Sequence, residues 1–197
     1  MLSVIFAESG DNLAHLIDFY APQATEILDV TYGNGTLCSR LRIPVVGVDI
    51  DPDTKAQIIA DATGPLPLEQ GRFSVVVYDP PYLYGAHAMH MGPIGAKTWK
   101  PERSTWKKPE ELFKLSEGIA RNLLNYTAQD CTIIVKIMDS RYKGRLCRNH
   151  NSVTVAFEEH GWYLHDQLVY IRTVTGSFVN KRSAQSTHGY FLILRRA

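Results

Sequence analysis

The chain has 197 residues, 45% of them hydrophobic and 21% charged, with a formal net charge of +1. That balance excludes a disordered chain and fits one domain with one sizeable core; it also excludes a strong overall field for nucleic acid, so any basic footprint must be local. The sequence shows no secretory signal and no apolar run of membrane-spanning length. Its three cysteines, Cys38, Cys131 and Cys147, are too scattered for a disulfide framework, so a reducing, cytoplasmic setting is expected.

In chain order, Asn12 to Tyr20 places Leu13, Leu16, Ile17 and Tyr20 at helical spacing, and Pro22 stops it. Strands are expected at Glu26–Val30, Val45–Asp49, Ile58–Ala60 and Phe73–Tyr78. Leu83–Lys108 follows neither period and contains Gly85, Gly92, Gly95, Pro93 and Pro101; a loop this long in a compact domain is functional or mobile. Pro109 to Tyr126 is the clearest helix, with Leu112, Leu115, Ile119 and Leu123 on one face and Pro109 in the first turn. A strand at Cys131–Met138, a helix near Val153–His160, and strands at Tyr163–Thr173 and Tyr190–Leu194 complete the pattern, with a second unpatterned stretch at Val174–Gly189. Strands alternating with helices imply an α/β fold, a mostly parallel sheet with helices on both faces. The last two strands lack a helix between them and should pair antiparallel.

Chemistry concentrates at the ends of these strands. Asp79-Pro80-Pro81-Tyr82 follows the run Phe73–Tyr78, at the carboxyl end of a buried strand, where open α/β sheets bind ligands. The prolines stiffen the turn and leave its carbonyls free to accept. A carboxylate beside a carbonyl suits an amino group, and a tyrosine beside both offers a flat face to a base. Asp29-Val30-Thr31-Tyr32-Gly33-Asn34-Gly35-Thr36 follows the first sheet strand, with glycines that permit a tight turn and close backbone approach. Asp49 ends the next strand, where an acid accepts hydrogen bonds from ribose hydroxyls, and Asp61 follows the third. A dinucleotide fingerprint would need a third small residue where Cys38 stands, and no phosphate-binding helix start is marked.

The set Gly33/Gly35, Asp49, Asp61 and Asp79-Pro80-Pro81-Tyr82, in this order, resembles motifs I to IV of the DPPY family of S-adenosylmethionine-dependent amino-methyltransferases, which act on nucleic-acid bases. The seven expected strands, with their antiparallel ending, resemble the class I methyltransferase fold over nearly the whole chain. The resemblance implies the class I methyltransferase fold: a Rossmann-like, seven-stranded, mostly parallel sheet with an antiparallel last strand. It implies S-adenosylmethionine as cofactor, contacted by Asp29, Tyr32, Gly33, Gly35, Thr36, Asp49, Ile50, Asp61 and Ala62. Within that set, Asp29 and the glycine turn lie near the methionine moiety, Asp49 on the ribose and Asp61 on the adenine amino group. It implies a catalytic role for Asp79, the Pro80 carbonyl and Tyr82, and methyl transfer to an exocyclic amine of a flipped base, adenine N6 in DNA first. The same chemistry on RNA, at adenine N6 or guanine N2, is the alternative, and a nucleotide-binding module without turnover is a third reading. No cysteine stands where carbon-5 methylation of cytosine would need it, and no metal-ligand spacing is present.

Nucleic acid is the expected partner. Trp99, Lys100, Arg103 and Trp106, with Pro81, Lys181 and Arg182, are the expected substrate-binding residues, because cations interleaved with tryptophans can track phosphates and stack on bases. Arg141, Lys143, Arg145 and Arg148 suit similar contacts. A single domain of this length leaves no room for a separate target-recognition region, so a partner protein supplying specificity is a further expectation.

Overall fold

The structure is a computed structural model and describes residues 3–5, 9–84, 105–171 and 188–197. Its elements are β1 (Val4–Ile5), α1 (Ser9–Tyr20), β2 (Ile27–Asp29), β3 (Val45–Asp49), β4 (Ile58–Ile59), β5 (Phe73–Tyr78), β6 (Leu83–Tyr84), β7 (Thr105–Trp106), α2 (Pro109–Leu123), β8 (Thr127–Ile137), β9 (Ser140–Tyr142), β10 (Arg145–Cys147), α3 (Asn149–Glu158), β11 (Trp162–Ile171) and β12 (His188–Arg196).

Among the described residues, eight strands form the main sheet, in the order β1-β11-β12-β8-β5-β2-β3-β4. The run from β8 to β4 is parallel throughout, and β12 lies antiparallel to both neighbours, β8 and β11. Nearly all of β5 and the Cys131–Val135 part of β8 are buried because both faces of the sheet are covered. On one face, Leu13, Leu16 and Ile17 of α1 pack on Ile27, Val75, Val77, Ile134 and Phe191. On the other, Leu112, Ile119 and Leu123 of α2 and Val153 and Phe157 of α3 pack on Leu28, Val76, Ile133 and Val135.

The α/β class, the sheet and the antiparallel strand agree with expectation. Three details differ. The sheet has an eighth strand, because Val4–Ile5 adds in parallel to the outer edge of β11; two residues carry no readable period. The connections from β2 to β3, β3 to β4 and β4 to β5 are turns rather than helices. Pro44, Pro52, Pro65 and Pro67 interrupt them. Element ends also shift: α2 stops at Leu123, and α3 starts at Asn149, ahead of its first apolar residue. Among the described residues no helix is long and apolar enough to cross a membrane.

Candidate active site at the carboxyl edge of the sheet

The chain leaves β2 toward β3 and β4 on one side, and β5 and β8 lie on the other. The order therefore reverses at β2, and the crevice outside the carboxyl ends of β2 and β5 is the topological switch point where open α/β sheets bind ligands. Asp29 of β2 lies in register with Val77 of β5, so the glycine turn and Asp79-Pro80-Pro81-Tyr82 leave the sheet side by side. The Thr31 hydroxyl oxygen accepts the Asp79 backbone N–H at 2.8 Å, tying the two turns together.

The glycine turn is built around Asp29 and Tyr32. Asp29 is 2% exposed. Its carboxylate accepts the Thr31 N–H at 2.9 Å and the Cys38 thiol at 3.2 Å. Burial, with Asp79 and Asp49 adding repulsion, pushes its pKa up to about 7. Burial and the Asp29 charge push the Cys38 thiol well up, so it stays a donor. Gly33 and Gly35 both have positive φ, +53° and +72°. At Gly35 an added Cβ would meet the Tyr32 hydroxyl at 2.6 Å, and at Gly47 it would strike the Tyr32 ring, so these two glycines make room for that ring. At Gly33 nothing lies within 4 Å of where a Cβ would be, so its backbone is open to approach.

Asp49, at the end of β3, accepts the Gly33 N–H at 2.8 Å and the Asp51 N–H at 2.9 Å, which fixes the second turn against the first. Ile50 follows it with 69% exposure, an aliphatic side chain facing solvent beside a carboxylate. Asp61 is exposed and accepts the Thr63 N–H and hydroxyl at 2.9 and 2.8 Å, while the adjoining Ala62 is buried and its carbonyl accepts the Asn122 amide. Thr36 is exposed, and its carbonyl accepts the Ser39 hydroxyl.

At β5, Asp79 is held by a residue that the sequence reading did not assign. Lys136 Nζ lies 3.0 and 2.9 Å from the two Asp79 carboxylate oxygens. Burial alone would lower the Lys136 ammonium, but the Asp79 carboxylate overrides it and holds the group above its ordinary range. Two further clamps set the motif. The Trp106 indole N–H donates to the Pro81 carbonyl at 2.6 Å, and β6 pairs with β7 through Leu83↔Thr105 and Tyr84↔Trp106. The buried Asn149 amide donates to the carbonyls of Tyr82 (3.1 Å) and Met138 (2.8 Å) and accepts the Tyr84 hydroxyl at 2.6 Å.

The structure thus gathers Asp29, Tyr32, Gly33, Gly35, Asp49, Asp79, Pro80, Pro81 and Tyr82 at one crevice, with Asp61 farther along the same edge. Trp106 is half-buried, packed on the core and bonded to Pro81, so its indole N–H braces the motif. Trp99, Lys100, Arg103, Lys181 and Arg182 lie outside the described residues. Beyond β8, Ser140–Tyr142 and Arg145–Cys147 form a hairpin turning at Lys143 and Gly144, both with positive φ. Arg141, Lys143, Arg145 and Arg148 are all exposed on or beside it.

No protein-family model matches the chain, and no curated protein matches it. Solved structures do. A SAM-dependent methyltransferase from Methanosarcina mazei superposes with a TM-score of 0.56 at 12% identity, covering 92% of this chain and 96% of that one. A 1,6-didemethyltoxoflavin-N1-methyltransferase from Burkholderia thailandensis, bound to that substrate and S-adenosylhomocysteine, gives 0.56 at 10% identity over 96% and 78%. A TehB-like SAM-dependent methyltransferase from Corynebacterium glutamicum gives 0.52 at 16% identity over 93% and 86%. At such identities the likeness is one of fold, and the fold is that of the class I methyltransferases.

Proposed function

We propose that this protein transfers a methyl group from S-adenosylmethionine to an exocyclic amino group of a base in nucleic acid, adenine N6 in DNA first. One observation carries the reading. The acceptor-rich turn Asp79-Pro80-Pro81-Tyr82 leaves β5 beside an open glycine turn, at the switch point of a methyltransferase fold.

The residues suit the cofactor. Asp29, Asp49 and Asp79 border the crevice, with Lys136 matching the charge of Asp79, and S-adenosylmethionine carries a sulfonium and an ammonium that the remaining carboxylates suit. Asp49 would accept from the ribose hydroxyls, the exposed Ile50 would lie against the adenine face, and Asp61 would take the adenine amine. The open backbone at Gly33 leaves room for the methionine end. When bound, the cofactor supplies an electrophilic methyl on sulfur.

The rest is done by this chain. An exocyclic amine is a poor nucleophile, because its lone pair is delocalised into the ring. The Asp79 carboxylate and the Pro80 carbonyl accept its two N–H bonds, which favours the positive charge that grows on nitrogen as the N–C bond forms and the S–C bond breaks. The surplus proton then leaves to solvent. Tyr82, half-buried and packed against both core clusters, would border the base, which must leave its stack to reach the crevice. The exposed Arg141, Lys143, Arg145 and Arg148 give a local cationic surface at the same edge, suited to phosphates.

The test is Asp79→Ala, with thermal melting as the folding control because the change leaves Lys136 without its carboxylate. Cofactor affinity by calorimetry should stay near wild type, while methyl transfer to DNA should fall more than about tenfold. A variant that keeps most of its turnover would refute the role of Asp79.

A further inference from the structure

We infer that Lys136 reads the target base: with Asp79 it forms an acceptor–donor pair that selects an amino group standing next to an unprotonated ring nitrogen. The inference rests on the amino-methyltransferase reading above and adds the edge of the base that is recognised.

Its basis is the sheet register. Val77 pairs with Ile134 and Tyr78 with Val135, so the next step along the parallel strands sets Asp79 opposite Lys136. Lys136 is the one charged residue in the run Cys131–Ile137, whose other members are apolar or hydroxyl-bearing. A lysine in such a strand demands a partner, and both oxygens of Asp79 meet it. Neither group is sealed off: the Lys136 side chain keeps 13% exposure and that of Asp79 24%. Both retain capacity. An ammonium has three donors and a carboxylate about four acceptor positions, so the two contacts with Asp79 leave Lys136 one further donor, on a charge that Tyr82 and Tyr170 also act on, and leave Asp79 further acceptor positions.

Seen from the crevice, the pair presents an acceptor and a donor about one hydrogen-bond length apart. Asn and Gln present the same adjacent pattern when they read adenine, one atom accepting from N6 and the other donating to a ring nitrogen. Adenine offers that edge at N6 with N1 or with N7, and cytosine offers it at N4 with N3. On the Watson–Crick edge of guanine, the N2 amine adjoins a protonated N1, which would set donor against donor at Lys136. The pair therefore favours adenine and cytosine over the Watson–Crick edge of guanine, whose N2 amine could meet it only from the side of the unprotonated N3. Because Lys136 neutralises Asp79, an uncharged base enters without leaving a lone buried charge beside it.

The experiment compares kcat/KM for wild type, Lys136→Met, Lys136→Gln and Lys136→Arg on DNA holding adenine, 1-deazaadenine or 7-deazaadenine at the methylated position. If the methylated amine is cytosine N4, 3-deazacytosine takes their place. Cofactor affinity and thermal melting are measured for each variant as controls for folding. For wild type, one deaza analogue should react about tenfold more slowly than adenine. Lys136→Met, which removes the donor, should lose about that factor on adenine and nothing further on the analogue, while Lys136→Gln and Lys136→Arg, which keep an N–H donor, keep discrimination. Wild type that treats all the bases alike, or a folded Met variant that still discriminates, would overturn the inference and leave amino-methyl transfer standing. Absence of transfer by wild type to any base would overturn the underlying reading, and this inference with it.

Discussion

At the scale of single residues, the site is a set of carboxylates in unequal surroundings. Asp29 is sealed beneath the glycine turn, whereas Asp79 is matched by an ammonium and Asp49 by two backbone N–H groups. The consequence for Asp29 is a pH dependence of defined sign. Its pKa rises from an ordinary 3.8 to about 7 on folding. Between about pH 4 and pH 7 the folded chain therefore holds a proton that the unfolded chain has lost, and Asp29 makes the protein less stable as pH rises through that window. Above it the penalty is complete, on the order of 4 kcal/mol. Asp29→Asn should remove this decline, so its thermal midpoint should gain on wild type steadily from pH 4 to pH 7. A constant difference across that range would show that Asp29 does not titrate there. Lys136 illustrates what was partly legible. A lone cation in an apolar strand announces a buried charge, but its partner lies on another strand and emerges only from the register.

At the scale of elements, the motif turn is a clamped structure. Trp106 reaches Pro81, Asn149 reaches Tyr82, and β6 is zipped to β7. The sequence placed Trp106 among cations and suggested stacking on a base; it could not show that the indole N–H is committed to a carbonyl of the motif. Trp106→Phe separates the two roles, since it keeps an aromatic face and removes the donor. Loss of a hydrogen bond worth about 1–2 kcal/mol should lower kcat roughly tenfold with KM for nucleic acid little changed. A raised KM with normal kcat would instead indicate stacking. The hairpin of β9 and β10 bears a second prediction. Replacing Arg141, Arg145 and Arg148 by Gln should weaken nucleic-acid binding across sequences and lower the slope of log affinity against log salt by roughly 2–3. An unchanged slope would remove the hairpin from the interface.

At the scale of the whole molecule, the readable part of the sequence was the part with strong periodicity. The runs at Phe73–Tyr78 and Cys131–Met138, buried on both faces, and the amphipathic α1 and α2 gave the class of fold. The edge strand β1 and the helix-free crossovers were not readable, because two-residue strands and turns closed by tertiary contacts carry no period of their own. Asp49 and Asp79 were legible through their place at strand ends; the bonds that organise them, to Gly33, Thr31 and Lys136, span 16, 48 and 57 residues and depend on the folded sheet. The central proposal is that the crevice at β2 and β5 methylates an amine on a nucleic-acid base. The most direct measurement incubates the purified protein with isotope-labelled S-adenosylmethionine and separate DNA and RNA pools, then identifies the labelled nucleoside by mass spectrometry. Label is expected on an exocyclic amino nitrogen, as N6-methyladenine in the DNA pool, and should be lost in Asp79→Ala. Label on carbon 5 of cytosine, or on no nucleoside in either pool while the protein binds the cofactor, would contradict the proposal.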